Sequence, residues 1–257
     1  MINSAFLTAA NSTPQFLITI ITVTFNAESD IEKTIKSVIS QNFKDLQYII
    51  IDGNSTDNTC HIIKQYEQNI SYWISEADKG IYDAMNKGIN KAKGKYYLFL
   101  NAGDTLNSGV LDKISRALED EPKLIYGNFY HEGNKRLYWG PFDRYRLCFR
   151  TIPHPASFFH HSLFKQYGLY NTNYPIASDY EFFLRIFKLL HFKETRYINL
   201  TISNFKAGGI SSFSSDPLFF EHKIQLLQQW TNMDLMKFYQ SGILFFDIMQ
   251  FLNQQKF

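Results

Sequence analysis

Two cysteines, Cys60 and Cys148, stand far apart in a chain of 257 residues. They are too few for a disulfide framework and too scattered for a zinc site, so both read as ordinary thiols of a reducing compartment. A surplus of charge is missing too, since 26 basic and 24 acidic side chains leave a formal +2. That balance supplies no general attraction to nucleic acid, which is not expected as a partner. No apolar run reaches the roughly 18 residues that a membrane-spanning helix needs. Met1 to Ala10 carry neither a positively charged opening nor a long apolar stretch. A signal peptide is therefore not expected, and the cytoplasm is the expected compartment. No G-x-G-x-x-G follows the first strand pattern and no P-loop occurs, which counts against dinucleotide cofactors and P-loop chemistry. Repeats, low-complexity tracts and a clear linker are also missing.

What the chain does have is apolar and aromatic mass, 45% and 17% of its residues. That is ample for the core of one large α/β domain, alone or with a smaller appendage. Residues 16–24 are β-branched and read as a strand buried on both faces. Ile31, Ile35, Val38 and Ile39 then form one helical stripe. Leu46 to Ile51 is a second strand, followed by a turn in which Ser55 or Thr56 is expected to cap a helix carrying Ile62, Ile63 and Tyr66. Tyr72 to Ser75 reads as a short strand, and Ile81 to Ala92 as a helix. Lys95 to Leu100 is a further strand. This alternation calls for a parallel sheet with right-handed crossovers. Beyond residue 120 the pattern changes. Leu124 to Tyr130 and Lys135 to Trp139 suggest a hairpin, and Ala156 to Phe159 a strand. Ser178 looks like the cap of a helix with Phe182, Phe183, Ile186, Phe187 and Leu190 inward. The stretch from Pro217 to the end reads as two helices.

Chemistry is expected where the strands end, because ligands of open α/β sheets gather beyond the carboxyl ends. Asp104, in the turn after Leu100, can hold a hard divalent cation against phosphate oxygens. It can equally close the turn or cap the helix starting near Val110. Asp52 can accept hydrogen bonds from a base N–H or a ribose hydroxyl, or satisfy nearby amides in an Asx turn. Lys79 is a candidate phosphate donor, with a solvated lysine as the alternative. His160 and His161, as strand neighbours, are expected to point to opposite faces and to form no chelate.

Taken together, Ile20-Ile21-Thr22-Val23-Thr24-Phe25-Asn26, Ser37-Val38-Ile39-Ser40-Gln41 and Ile51-Asp52-Gly53-Asn54-Ser55-Thr56-Asp57-Asn58-Thr59 resemble the nucleotide-binding half of family 2 glycosyltransferases with the GT-A fold. The run from Ser75 to Ile89, with Asp78-Lys79-Gly80-Ile81-Tyr82-Asp83-Ala84-Met85-Asn86, followed by Phe99 to Asp104, resembles the branch that builds colanic-acid-like and capsular polysaccharides. The likeness covers residues 16–106 well and residues 150–190 more thinly.

This resemblance implies an α/β fold of GT-A type: a mostly parallel sheet with helices on both faces. The expected domain spans residues 1–215, with a nucleotide-binding half at about 16–106 and an acceptor half at 107–215. A C-terminal helical extension is expected at 216–257. The resemblance also places Val23, Thr24, Asn26, Asp52, Asn54, Lys79, Asn101 and Gly103 at the nucleotide-sugar donor. Gly53 stands where the family's second paired acid would be, so that base contact is expected to be lost or left to backbone. Asn101 and Gly103 replace the two acids of an Asp-any-Asp metal motif, leaving Asp104 as the main ligand for Mg²⁺ or Mn²⁺. Asp179, in Ser178-Asp179-Tyr180-Glu181, matches the catalytic base of inverting members, with a helix N-cap as the bland alternative. Glu181 is placed at the acceptor or in the first helical turn. His154 is expected to touch the diphosphate, to complete the metal site, or to be a satisfied structural histidine.

The implied activity is transfer of a sugar, with inversion, from a UDP-sugar to a growing surface polysaccharide or lipid-linked glycan. The rival readings are a sugar-1-phosphate nucleotidyltransferase and an inactive nucleotide- or glycan-binding domain. The apolar stretch Gly242 to Leu252 suits core packing, peripheral contact with a membrane, or a homodimer surface.

Overall fold

The computed structural model describes residues 13–138, 140–142, 144–187, 194–208 and 216–230, with Lys237 and Ser241. A nine-stranded sheet runs through it: β1 (Phe16–Thr24), β2 (Leu46–Asp52), β3 (Tyr72–Ser75), β4 (Gly94–Phe99), β5 (Thr105–Leu106), β6 (Leu124–His131), β7 (Arg136–Tyr138), β8 (Ser157–His160) and β9 (Thr195–Phe205). The strand order is β3-β2-β1-β4-β8-β6-β9-β5, with β7 paired to β6 off this path. The four leading strands are mutually parallel. Thr24 pairs with Asp52, and Asp52 with Ser75, so these carboxyl ends share one edge. Beyond β4 the sheet is mixed: β8 is antiparallel to both β4 and β6, while β9 is parallel to β6.

The described residues also form helices α1 (Ile31–Ile39), α2 (Thr59–Gln65), α3 (Ile81–Lys91), α4 (Val110–Ala117), α5 (Arg144–Phe149), α6 (Ser162–Tyr167), α7 (Ser178–Phe187) and α8 (Pro217–Trp230). The period-2 alternation of the central strands feeds two separate cores. Ile21, Val23, Ile49, Ile51 and Phe99 join α3 and α7 in one. Ile18, Ile20, Ile50, Leu98 and Leu100 join α1 and α4 in the other. Helices on both faces explain why these strands read as continuous apolar runs. Gly88 is needed for the fit, because a Cβ there would stand 2.5 Å from the Ile21 side chain.

Three local expectations need correction. Neither Ser55 nor Thr56 caps α2; its N-cap position is Asn58, with no side-chain bond, and Asp57 Oδ1 accepts the Thr59 N–H at 3.0 Å. Ser178 is the first residue of α7 rather than its cap, and its buried hydroxyl has no hydrogen-bond partner. The rings of His160 and His161 lie 4.6 Å apart rather than on opposite faces. The strand has ended there, and His161 (φ −53°, ψ −30°) already has helical dihedrals. Strand β9 was not expected from the sequence, because its polar residues alternate without a long apolar run. Leu190 and the segment 242–252 lie outside the described residues. Among those described, no helix is long and apolar enough to cross a membrane.

Candidate active site

At the shared carboxyl edge, Asn26 stitches the turns after β1 and β2 together. Its Oδ1 accepts the Thr56 N–H at 2.8 Å, and its own N–H donates to Ser55 Oγ at 2.7 Å. Asn26 and Asn54 both hold left-handed backbone (φ 45° and 68°), a conformation that asparagine tolerates better than most residues. Val23 is buried and presents its carbonyl to the Ala102 N–H at 3.1 Å. The Thr24 carbonyl receives the Gly53 N–H at 2.9 Å, while its buried hydroxyl has no partner. Asn54 and Lys79 are exposed.

Asp52 is fully buried, and its carboxylate is occupied. Oδ1 accepts the Ser55 hydroxyl; Oδ2 accepts the Ser55 N–H at 2.9 Å, the Ser75 hydroxyl at 2.6 Å and the Cys60 thiol at 3.2 Å. This geometry is that of the Asx turn. A second carboxylate, that of Asp78, stands beside Gly53, with its Oδ2 2.6 Å from where a Gly53 Cβ would stand. The Phe25 ring is 3.5 Å from that same point and 63% exposed. Gly53 thus leaves room for an acid delivered by another loop.

The turn after β4 is built on Thr34. Its hydroxyl accepts the Gly103 N–H at 2.9 Å and donates to the Asp104 carbonyl at 2.8 Å. Gly103 (φ 102°) sits under the Lys206 side chain, 3.0 Å from an added Cβ. Asp104 Oδ1 accepts the Lys206 N–H at 2.9 Å. Asp104 Oδ2 and Asn101 Oδ1 are buried without any hydrogen-bond partner. Leaving such an acceptor unmet costs about 1–3 kcal/mol. Burial pushes the Asp104 carboxyl up to about 7; the Lys206 N–H opposes the shift and the charge of Glu132 adds to it. Among the described residues no three His, Cys, Asp or Glu side chains converge as a metal cage. Two orphaned oxygens in one turn nevertheless suit a hard divalent cation that takes its other ligands from water and phosphate.

A cavity of about 790 Å³ is lined by Asp179, Tyr180, His154, His131 and Phe205, among others. Asp179 Oδ1 accepts the Tyr82 hydroxyl at 2.9 Å and the Tyr180 N–H at 2.8 Å. Among the described residues, nothing bonds its Oδ2. The segment entering α7 is held by buried Asp216, whose Oδ2 accepts the N–H groups of Ile176 and Ala177 at 3.1 and 3.2 Å. Glu181 is closed in a buried pair with Arg185, Oε2 to Nη2 at 2.6 Å and Oε1 to Nε at 3.0 Å. Arg185 also donates to the Tyr167 and Leu169 carbonyls.

His154 is buried and stacks on Phe99 with ring centroids 5.1 Å apart. Its Nε2 lies 2.8 Å from the Tyr170 hydroxyl. Burial lowers its pKa, against the opposing charge of Asp179. Asp104 does not line the cavity. Its partner Lys206 directly follows Phe205, which does.

Asp179 and His154 therefore meet at one cavity, while Asp104, Asp52, Asn54 and Lys79 are not among its lining residues. Sequence reasoning missed Tyr82, Asp78 and Asp216. The clue for Tyr82 was a phenol on a buried helix face, which usually finds a hydrogen-bond partner.

A half-sheet of parallel strands with turns clustered at its carboxyl edge, in one fold with a cavity lined by a carboxylate from the first turn of a helix, is the architecture of a GT-A glycosyltransferase. The chain belongs to glycosyl transferase family 2, whose description its residues 19–194 match. It is 32% identical over 211 residues to the PGL/p-HBAD biosynthesis glycosyltransferase of Mycobacterium tuberculosis, covering 79% of this chain and 82% of that protein. It is 32% identical over 123 residues to the Campylobacter jejuni GalNAc(5)-diNAcBac-PP-undecaprenol beta-1,3-glucosyltransferase, covering 46% of this chain and 40% of that protein. The structure of S. aureus TarS in complex with UDP superposes with a TM-score of 0.67 at 15% identity, over 82% of this chain and 64% of that one. This chain thus spans less than two thirds of the latter two proteins.

Proposed function

We propose that this glycosyltransferase is inverting and takes its sugar from a nucleotide diphosphate, UDP. Asp179 is the base. It removes the proton from an acceptor hydroxyl as that oxygen bonds to the anomeric carbon and the bond to the diphosphate breaks on the opposite face. The observation that carries this reading is Asp179 Oδ2, unbonded among the described residues on a side chain that lines the cavity, while Oδ1 is fixed by Tyr82 and the Tyr180 N–H. The donor nucleotide lies along the carboxyl edge of β1 and β2, with Thr24, Asn26, Asn54 and Lys79 around it. The oxygens of Asp104 and Asn101 would hold Mg²⁺ or Mn²⁺, which when bound neutralises charge on the departing diphosphate. His154, neutral and bonded to Tyr170, shapes the cavity floor.

Support for UDP comes from the TarS likeness, and for a lipid-linked acceptor at a membrane surface from the name of the Campylobacter relative. Asp179→Asn is the decisive variant. It is isosteric, so UDP affinity measured by calorimetry with Mn²⁺ should stay within about twofold, while transfer falls by at least ~100-fold, the scale of a lost general base. Retained turnover removes Asp179 from the mechanism. UDP binding without Mn²⁺ dependence, together with no donor hydrolysis, would favour the inactive binder instead.

A further inference from the structure

The cavity in front of Asp179 has a chemistry that the transfer reaction alone does not explain. Its volume of about 790 Å³ exceeds what one sugar ring fills, and pockets of ~300–1,000 Å³ typically enclose whole ligands. The β6–β7 hairpin contributes Phe129, Arg136 and Tyr138 to the wall; α5 and the residue after it contribute Arg146, Phe149 and Arg150. Phe129 and Tyr138 stack with centroids 4.8 Å apart and planes 12° apart, forming a flat apolar panel. Arg146 is anchored in place, with Nη1 donating to the Pro141 carbonyl at 2.7 Å and its guanidinium 4.8 Å from the Phe142 ring centroid.

Arg136 and Arg150 are exposed, and among the described residues neither has an acidic partner. Among the described residues, Asp179 is the only acid that lines the cavity. Guanidinium groups grip phosphate through paired N–H bonds, and a wall holding three of them beside aromatic rings fits a ligand that is anionic and apolar at once. The donor's own diphosphate does not account for them: Thr24, Asp52, Asn101 and Asp104, which mark the donor edge, are absent from this wall.

We propose that the cavity is the acceptor site and that the acceptor sugar arrives on a lipid diphosphate. Arg136 and Arg150 hold the diphosphate, the Phe129–Tyr138 panel and Phe149 receive the first carbons of the lipid, and the sugar hydroxyl faces Asp179. This rests on Asp179 being the base of a glycosyltransferase.

The test is calorimetry on the full chain with geranyl diphosphate as probe, and with inorganic pyrophosphate and geraniol as its two halves. Geranyl diphosphate should bind at least tenfold more tightly than either half. The double variant Arg136→Gln/Arg150→Gln should lose at least tenfold of that affinity while keeping its thermal melting and its UDP–Mn²⁺ affinity. Equal affinity in the variant overturns the proposal, and so does tight binding of geraniol alone. Displacement of the probe by UDP–Mn²⁺ also overturns it, because the arginines would then serve the donor. Absence of UDP binding by the wild-type chain instead sinks the donor reading, and the probe result is read separately.

Discussion

The Tyr82 hydroxyl stands 2.9 Å from Asp179 Oδ1 and 2.7 Å from the Ile176 carbonyl, pinning the start of α7 to α3 from 97 positions away in the chain. Burial and the neighbouring carboxylate push the Tyr82 phenol well above its usual range, so it remains a donor at any working pH. Tyr82→Phe removes that donor without changing the packing of the ring. Transfer should drop roughly tenfold in kcat, with UDP affinity unchanged, because the carboxylate loses its fixed orientation. The melting transition should show a loss of about 1 kcal/mol for the unmet Ile176 carbonyl. A kcat equal to wild type in steady-state assays would leave Tyr82 as a packing residue only.

A second relationship lies at the donor edge, where Asp78 occupies the space beside Gly53. Gly53→Ala places a methyl group 2.6 Å from Asp78 Oδ2, so the carboxylate must move. UDP affinity should weaken about tenfold, the order of one lost charge-assisted hydrogen bond. Asp78→Asn should weaken it similarly, and the double variant should be no worse than either single one. Additive losses would show that the two residues act separately.

How much of this was legible in the sequence differs between the halves of the chain. Strands β1 and β3 coincide with the expected residues, and β2 and β4 differ by one residue at their ends, because parallel strands covered by helices write apolar and aromatic runs. The hairpin of β6 and β7 was readable from its turn. Strand β9 was not, since Arg196, Asn199 and Thr201 interrupt its apolar pattern, and two-residue β5 carries no pattern at all. The α/β alternation points to the sheet edge, whereas the contacts of Asp179 with Tyr82 and of Asp216 with residues 176 and 177 exist only after folding. One signal was available and not used: Glu181 and Arg185 are four apart on a helix, the spacing of an ion pair.

That pair yields a test that separates stability from acceptor binding. Both side chains are nearly buried, at 7% and 13% exposure. Breaking such a pair leaves an uncompensated charge and costs about 3–5 kcal/mol. Glu181→Gln should therefore lower the melting temperature clearly, while the folded fraction retains its KM for acceptor. A raised acceptor KM with unchanged melting would instead place Glu181 at the acceptor.

Acid sensitivity should arise at the opposite end of the sheet, at His160. Burial pushes its pKa down to about 4, with the charges of Lys123, His161 and Lys95 acting the same way and Glu121 opposing. Its Nδ1 lies 2.7 Å from Ser162 Oγ. The folded chain holds this imidazole neutral, whereas the unfolded chain protonates it near its ordinary value of 6.5. Between those values the unfolded state binds more protons, so stability rises with pH. The contribution is fully present above about pH 6.5 and is lost as pH falls toward 4. Its size is on the order of 2 kcal/mol, allowing for screening of the lysines by solvent. Urea unfolding of the wild-type chain between pH 7 and 4.5 should show this slope. His160→Asn, whose amide can replace the bond to Ser162, should flatten the profile; equal slopes in the two proteins would mean that another group controls the acid limb.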